Sequence, residues 1–560
     1  MKSRSFFVYL GLLAVLLLSI GTASWYDILS QSPLPWLKGG VATNPAAALF
    51  VPRQAPLMLS MVVNPEKLAA LGLVQTPYGK RRETLQELQQ AKTSLMSATG
   101  LDYTKQIEPW LGNEISFAVT TLDVDRNLEN GVTPGYLLVV EARDKELAKE
   151  FLQLAYTEQA LAPDSGLRYE TYKGVNLVIP DAKTKQFASA IVGNYVLFAS
   201  EGKVLRSAIN TVQVPDLNLS HDPQYLAALE TIDRDHIGIA VANLPALSAW
   251  IANDINPEEP TLKQRLAVTL SLQNQGLIAE TALIGDTEPA LNRPILTEPV
   301  EALTYVPPQA LLAVAGRDLK QLWTDATTGL NPRSPLSQIL QQSVVAIQEP
   351  LGIDLPADIF DWISSDYALA IVPNLDRKNS VDWLFVAERE PEVNIDPIIE
   401  HFDELAQEKG LSVGRLPLGD RQVTAWTAID TSNQDDDLVQ LNAQVQGAHL
   451  SVENYELFAS SVKALSRAVN ANKKQSLLDN KNFKVSLQQL PSENGGYLYA
   501  DWRQGAQLFK TQVPILRVVD YVAKPFFNHL NSLSLTSSGN TEDIRRSTLF
   551  FTLSSDRLEN

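Results

Sequence analysis

A seventeen-residue segment occurs twice in this chain, and this repetition constrains the fold more than any other feature of the sequence. Asn194 to Asn210 reads NYVLFASEGKVLRSAIN, and Asn454 to Asn470, 260 positions later, reads NYELFASSVKALSRAVN, with ten of the seventeen residues identical. Both segments predict a strand that continues into a helix with one apolar face. The shared residues are those that such a unit packs into a core. The repetition therefore indicates a duplicated fold and does not mark an active site.

The boundaries of this repeated unit follow from its residue types. The predicted strands cover Tyr195 to Ala199 and Tyr455 to Ala459, where apolar residues dominate. A serine follows each strand, and serine is a preferred residue at the start of a helix. The predicted helix caps are therefore Ser200 in the first copy and Ser460 or Ser461 in the second.

A second pair of segments supports the duplication. GLDYTKQIEPWLGNEISFAV begins at Gly100, and GIDLPADIFDWISSDYALAI begins at Gly352, so that Trp110 matches Trp362 at a constant shift. Each segment predicts a short helix that leads into an apolar, alternating strand. The match indicates that the two copies share an order of elements over most of their length.

The predicted domain organisation is two tandem homologous repeats, 46–288 and 302–560, joined by a linker at 289–301 that contains Pro289, Pro294 and Pro299. Strands outnumber crossover helices and come in hairpin pairs, which is typical of antiparallel sheets. The predicted fold class is α+β, with a largely antiparallel sheet packed with helices in each repeat, preceded by one N-terminal transmembrane helix.

The N-terminal residues 1–24 predict that transmembrane anchor or, alternatively, a cleaved signal peptide. Lys2 and Arg4 precede an uncharged run from Phe6 to Ala23, which is at the lower length limit for crossing a bilayer as a helix. Positive residues on the short side are expected to stay in the cytoplasm, so the bulk of the chain is expected to be extracytoplasmic. Residues 25–45, rich in proline and glycine, are predicted to be a tether.

Several of these features resemble a known family. They are the apolar N-terminal segment, a Val-Pro pair before the first strand of each copy (Val51 and Pro52; Val306 and Pro307) and the G-[LI]-D…W-[LI] segments. The chain is similar to an uncharacterised cyanobacterial family of membrane-anchored extracytoplasmic proteins that is described as a domain of unknown function. The resemblance implies a location in the periplasm or the thylakoid lumen. It supplies no catalytic residues.

Composition excludes several classes of function. The formal net charge of −18 opposes binding to nucleic acid, which requires a basic surface. The chain has no cysteine, so disulfides, zinc–thiolate sites, iron–sulfur clusters and cysteine nucleophiles are excluded. No GxSxG, GxxxxGK[ST] or GxGxxG motif is present. The five histidines show no metal-binding spacing; they are His221, His236, His401, His449 and His529.

Two acidic features suggest chemistry, and each has a simpler interpretation. Asp102 and Asp354 match between the copies and together could form a carboxylate pair, but each precedes a predicted helix, where aspartate serves as an N-cap. The loop DVDRNLENG from Asp123 alternates oxygen ligands as a calcium loop does. However, Leu128 and Pro134 stand where an EF-hand requires glycine and glutamate. We therefore assign no catalytic, cofactor-binding or metal residues and expect no cofactor.

The sequence thus favours a membrane-tethered extracytoplasmic protein without enzymatic activity. It is expected to act as an interaction or assembly factor that attaches to the membrane through residues 6–23 and binds a protein partner, and it is not expected to bind nucleic acid. One alternative is a hydrolase with a carboxylate site between the repeats. Another is a carrier of an apolar ligand held between sheet and helices.

Overall fold

The structure is a computed structural model, and its description covers most of the chain between residues 44 and 553. The described residues are 44–63, 103–125, 127, 133–160, 166–180, 187–231, 235–252, 264–273, 275–285, 295–328, 354–377, 380–433, 439–473, 475–512, 527, 529–538, 541 and 544–553.

Among the described residues, the first half of the chain contributes ten strands with alternating or continuous apolar patterns. They are β1 (Leu57–Met61), β2 (Leu111–Thr121), β3 (Gly135–Ala142), β4 (Leu167–Tyr172), β5 (Val175–Pro180), β6 (Ala188–Val192), β7 (Tyr195–Ala199), β8 (Gly238–Asn243), β9 (Gln264–Gln273) and β10 (Gly276–Gly285). The second half contributes ten more: β11 (Leu312–Arg317), β12 (Asp366–Pro373), β13 (Val381–Glu388), β14 (Ser412–Leu418), β15 (Arg421–Asn433), β16 (Val439–Val452), β17 (Tyr455–Ala459), β18 (Tyr497–Asp501), β19 (Leu530–Ser537) and β20 (Ile544–Leu553).

All twenty strands belong to one antiparallel sheet. In the first half the neighbours run β4–β5–β6–β7–β3–β2–β1–β8–β9–β10. In the second half they run β14–β15–β16–β17–β13–β12–β11–β18–β19–β20, which is the same order. The halves join where β10 pairs with β20, so that Gly276 faces Thr552 and Ile284 faces Ile544.

The predicted fold class, two tandem α+β repeats that each contain their own largely antiparallel sheet, is therefore wrong, because the described strands form a single sheet. The physical reason lies at the ends of the two halves. β10 and β20 would each leave a row of backbone N–H and C=O groups unpaired at an edge, and their pairing satisfies both rows. The side-chain pattern of a strand indicates which face is buried. It does not indicate which strand lies alongside.

Nine α-helices in the described part cover the sheet. They are α1 (Lys145–Ala160), α2 (Gly202–Gln213), α3 (Pro223–Glu230), α4 (Leu244–Ala252), α5 (Leu319–Thr328), α6 (Asp396–Glu408), α7 (Val462–Lys473), α8 (Lys481–Gln489) and α9 (Trp502–Gln512). In this part, no helix is long and apolar enough to cross a membrane. The predicted membrane segment 6–23 lies outside the described residues, as does the tether up to residue 43.

Both faces of the sheet carry a core, because consecutive residues of a strand point to opposite faces. On β7, Leu197 packs with α2 and α3, whereas Val196 packs with α1. On β17, Leu457 packs with α7 and α8, whereas Phe458 packs with α6. The arrangement has three layers, with the sheet between two layers of helices.

The repeated segment has the predicted strand and helix in both halves. β7 and β17 cover the predicted residues, and α2 and α7 follow them. The predicted cap Ser200 is wrong: its Oγ lies 3.1 Å from the backbone nitrogen of Tyr136 on β3 and accepts that N–H. Ser460 does the same for Trp383 at 3.1 Å, while Ser461 caps α7 by accepting from the backbone nitrogen of Ala464.

Candidate functional site

The carboxylate pair suggested by the sequence is represented in the described residues by Asp354 alone. Its backbone nitrogen donates to Asp358 Oδ2 at 2.7 Å, and its Oδ1 accepts from the backbone nitrogen of Ala357 at 3.5 Å. These contacts cap a short helical turn, Leu355–Ile359, so the capping interpretation is confirmed for Asp354. Asp102 lies outside the described residues.

The loop that resembles a calcium site begins with hydrogen-bonded turns. Asp123 is buried, and its Oδ1 accepts from the backbone nitrogen of Thr133 at 3.1 Å. Asp125 Oδ1 accepts from the backbone nitrogen of Asn127 at 3.0 Å, which is an Asx turn. Among the described residues, no group of three or more His, Asp and Glu side chains is placed to hold a metal ion. Leu128 and Glu129 lie outside them.

A buried carboxylate anchors the 3-10 helix that precedes the first strand of each half. In the first half, Glu114 Oε2 and Oε1 accept from the backbone nitrogens of Ala46 and Ala47 at 3.0 and 2.8 Å. Ser116 Oγ adds a third donor at 3.0 Å. Burial raises the pKa of Glu114, because the hydrogen bonds that favour the charged form only partly offset desolvation.

The second half repeats this anchor with different neighbours. Asp366 Oδ2 accepts from the backbone nitrogen of Glu301 at 3.2 Å, at the start of the 3-10 helix Glu301–Tyr305. Arg317 Nε donates to Asp366 Oδ1 at 2.7 Å. Since an acidic side chain holds the same helix start in both halves, we assign these carboxylates a structural role.

A polar cluster in the second half, which has no counterpart among the described residues of the first half, is the strongest candidate site. His449 on β16 is 7% exposed and lies between two carboxylates. Its Nδ1 is 3.2 Å from Glu456 Oε1 on β17, and its Nε2 is 3.3 Å from Asp403 Oδ1 on α6. The first contact has hydrogen-bond geometry, whereas the second is an ion-pair contact with poorer alignment. We call these residues, with Arg389 and Ser451, the His449 cluster.

The acids of the His449 cluster have further donors. Glu456 is fully buried, and its Oε2 accepts from Ser451 Oγ at 2.6 Å and lies 3.6 Å from an Arg389 nitrogen. Asp403 Oδ1 accepts from the ring nitrogen of Trp426 at 2.6 Å. Arg389 also pairs with Asp396 at the start of α6, at 2.6 Å. Together with Trp426 on β15, the cluster therefore links three strands, β15, β16 and β17, to one helix.

The corresponding positions of the first half are mostly apolar. In the sheet register, the counterpart of Glu456 is Val196. Glu456 faces Ala387 on β13, and Val196 faces Val140 on β3. The register also aligns His449 with Ser189, since each faces a phenylalanine on the next strand. Ser189 Oγ is hydrogen-bonded to the hydroxyl of Tyr156 on α1. The first half thus fastens the matching helix by a hydroxyl pair.

The chemistry of the His449 cluster is that of an acid–histidine–acid chain. Ser451 donates to Glu456 and makes no described hydrogen bond to His449, so a Ser–His–Asp arrangement is not formed. Sequence reasoning named His449 but missed the cluster, because its members come from separate elements. The register of the β16–β17 hairpin is the signal that could have found part of it: Ser451 faces Glu456, which places His449 diagonally on the same face.

The fold and this site define an antiparallel α+β protein in which polar groups fasten helices to a sheet. The chain belongs to the family described as Protein of unknown function (DUF3352), whose model matches residues 10–553. The expected membership of a family of unknown function is confirmed at that level. No curated protein and no solved structure matches the chain.

Proposed function

We propose that this protein is a membrane-tethered, extracytoplasmic assembly factor without enzymatic activity, which binds an extended segment of a protein partner along β4. The observation that carries the proposal is the free edge of the sheet at β4. Within the described part, β4 pairs on one side only, with β5. An edge strand presents unpaired N–H and C=O groups to which another chain can add a strand.

The residues of β4 suit this role. The strand contains no proline, so every residue from Leu167 to Tyr172 has an N–H group. Tyr169 is 68% exposed, and tyrosine is enriched at the centres of protein interfaces. An ion pair at 2.9 Å between Glu170 and Arg206 of α2 holds the strand in place. The edge is therefore ordered before a partner arrives, which lowers the entropic cost of binding.

The opposite edge, β14, is protected against strand addition. It contains Gly414 and Pro417, and proline removes a backbone donor. This contrast supports β4 as the edge that receives a partner.

The membrane attachment rests on sequence. The apolar run 6–23 behind Lys2 and Arg4 supports insertion with the remaining chain on the extracytoplasmic side, in the periplasm or the thylakoid lumen of a cyanobacterium. Cell fractionation with protease protection tests this part. Full-length protein is expected in the membrane fraction, with its bulk shielded from protease added on the cytoplasmic side, and deletion of 6–23 is expected to abolish membrane recovery.

A matched pair of edge variants tests partner binding. Tyr169→Lys places a charge on β4, and Leu416→Lys places one on β14, where Leu416 is 38% exposed. After cross-linking in membranes and purification, a specific partner is expected with wild type and Leu416→Lys but not with Tyr169→Lys. Undiminished recovery of the partner by Tyr169→Lys contradicts the proposal, as does the absence of a specific partner from a wild-type sample that turns over a substrate.

A further inference from the structure

We infer that the His449 cluster is a pH-dependent clasp between α6 and the sheet, closed when both ring nitrogens of His449 carry a proton. This inference is independent of the proposed partner binding. It rests on the position of one imidazole between a carboxylate of the sheet and a carboxylate of the helix.

The geometry requires two protons for a complete set of contacts. Nδ1 faces Glu456 at 3.2 Å and Nε2 faces Asp403 at 3.3 Å. A neutral imidazole carries one N–H, so it can donate to one carboxylate while the lone pair of its other nitrogen faces the second. The imidazolium donates at both nitrogens and adds a charge that attracts both acids. Protonation therefore joins α6 to β17 through His449.

The charged groups around His449 favour this closed form. Asp403 faces the ring from α6 and Glu456 from β17, while Trp426 and Phe458 contribute uncharged rings. The nearest cation is Arg389, which lies 3.6 Å from Glu456 and is shared with Asp396. Arg389 is thus shared by two carboxylates and Asp403 faces the ring as a third, so an imidazolium reduces the remaining negative charge.

Deprotonation weakens the attachment of α6 without leaving a carboxylate bare. Asp403 keeps the hydrogen bond from Trp426 at 2.6 Å, and Glu456 keeps the one from Ser451 at 2.6 Å. Each acid therefore has a second donor that does not titrate between pH 5 and 8, the interval over which histidine side chains change charge. What is lost when the proton leaves is the contact of Asp403 with His449, while the bond from Trp426 on β15 and the Arg389–Asp396 pair still hold α6.

The first half provides an internal reference. Ser189 occupies the register position of His449, and its hydroxyl is bonded to Tyr156 on α1. Burial raises the pKa of Tyr156 to about 12, so this pair keeps its protons across the whole interval. The attachment of α1 is therefore expected to be independent of pH where that of α6 is not.

Amide hydrogen exchange tests the inference, with protection factors corrected for the intrinsic effect of pH. In the wild-type chain, protection of α6 is expected to fall about tenfold between about pH 5.5 and about pH 8, the loss of roughly one charge-assisted hydrogen bond. Protection of α1 is expected to stay constant. His449→Gln is expected to remove the pH response of α6, whereas His401→Asn, at an exposed position of the same helix, is expected to keep it.

A second variant keeps the test valid if His449→Gln fails to fold. Asp403→Asn retains an oxygen that accepts from Trp426 and removes only the charge that faces His449, so it too is expected to abolish the response of α6. A response of α6 that persists in either folded variant overturns the inference. So does an equal response of α1 and α6 in the wild-type chain.

Discussion

Ser189 and His449 occupy the same register position in the two halves of the sheet, and they fasten the covering helices by different chemistry. Ser189 faces Phe198 and bonds to Tyr156 of α1. His449 faces Phe458 and lies between two carboxylates. The halves share an order of strands, whereas the polar groups on this face have diverged. A residue in one half can therefore serve as a reference for its counterpart in the other.

The junction between β10 and β20 is predicted to be sensitive to a side chain at Gly276. A Cβ atom added there would lie 1.8 Å from the carbonyl oxygen of Phe551 on β20, a distance that requires the backbone to shift. Gly276→Ala is therefore expected to lower the free energy of unfolding by about 2 kcal/mol or more, as measured by urea denaturation.

Gly414→Ala on β14 is the matched control for this junction. No atom lies within 4 Å of a Cβ placed at that position, so its effect on the free energy of unfolding is expected to be within about 0.5 kcal/mol of zero. Equal effects of the two substitutions would contradict the pairing of β10 with β20.

The sequence predicts individual strands well, but it does not predict the pairing of strands at this junction. The strands β7 and β17 could be predicted to the residue, because their apolar runs end at a serine before a helix. The pairing of β10 with β20 could not, since backbone N–H and C=O groups are identical in every strand and carry no sequence signal. The His449 cluster escaped for a related reason: Asp403 and Glu456 meet His449 only after α6, β16 and β17 have packed together.

Ser460 is predicted to contribute more stability than its counterpart Ser200. Both hydroxyls accept a backbone N–H, from Trp383 and Tyr136 respectively, at 3.1 Å. Ser460 also donates to the buried Asp382 at 2.8 Å. Ser460→Ala is expected to lower the free energy of unfolding by about 2 kcal/mol and Ser200→Ala by about 1 kcal/mol, as measured by urea denaturation. The larger loss is expected because Ser460→Ala also removes a hydrogen-bond donor from the buried carboxylate of Asp382. The reverse order would contradict this assignment.

The contribution of Glu114 to the free energy of unfolding is predicted to be larger at acidic pH than at neutral pH. Burial raises its pKa above the ordinary value of 4.5, so the folded state holds this proton more tightly than the unfolded state does. The corresponding stability is fully present below about pH 4.5 and is lost as pH rises through the folded-state pKa. Glu114→Gln cannot titrate, and its amide leaves one of the two backbone donors of Ala46 and Ala47 without an acceptor.

The free energy of unfolding of Glu114→Gln is therefore expected to lie furthest below that of wild type near pH 4, by about 1–3 kcal/mol. This difference is expected to shrink towards neutral pH. Urea unfolding of both proteins across this range measures the difference, and the other carboxylates cancel because they are common to both. A deficit that stays constant or grows with pH would show that the carboxyl group is not held in its protonated form by burial.

Arg265 and Asp222 form a buried ion pair that the second half replaces with neutral groups. Arg265 Nε lies 3.3 Å from Asp222 Oδ1, both side chains are about 5% exposed or less, and burial lowers the pKa of Arg265. Asp222 caps α3, as Asn480 caps α8. Arg265 also donates to the carbonyl oxygen of Arg53 at 3.1 Å, as Asn480 Nδ2 donates to that of Pro308 at 2.8 Å.

Removing one partner of such a pair leaves a buried charge, whereas removing both does not. Arg265→Met is therefore expected to lower the free energy of unfolding by about 3–5 kcal/mol, since the exposed Arg53 alone then faces Asp222. Adding Asp222→Asn to that variant is expected to recover at least half of the loss, because the asparagine can cap α3 and donate to the Arg53 carbonyl as Asn480 does in the second half. Thermal and urea unfolding of the single and double variants measure this coupling. Equal losses of unfolding free energy in the two variants would mean that the packing of the Arg265 stem, and not its charge, stabilises this part of the sheet.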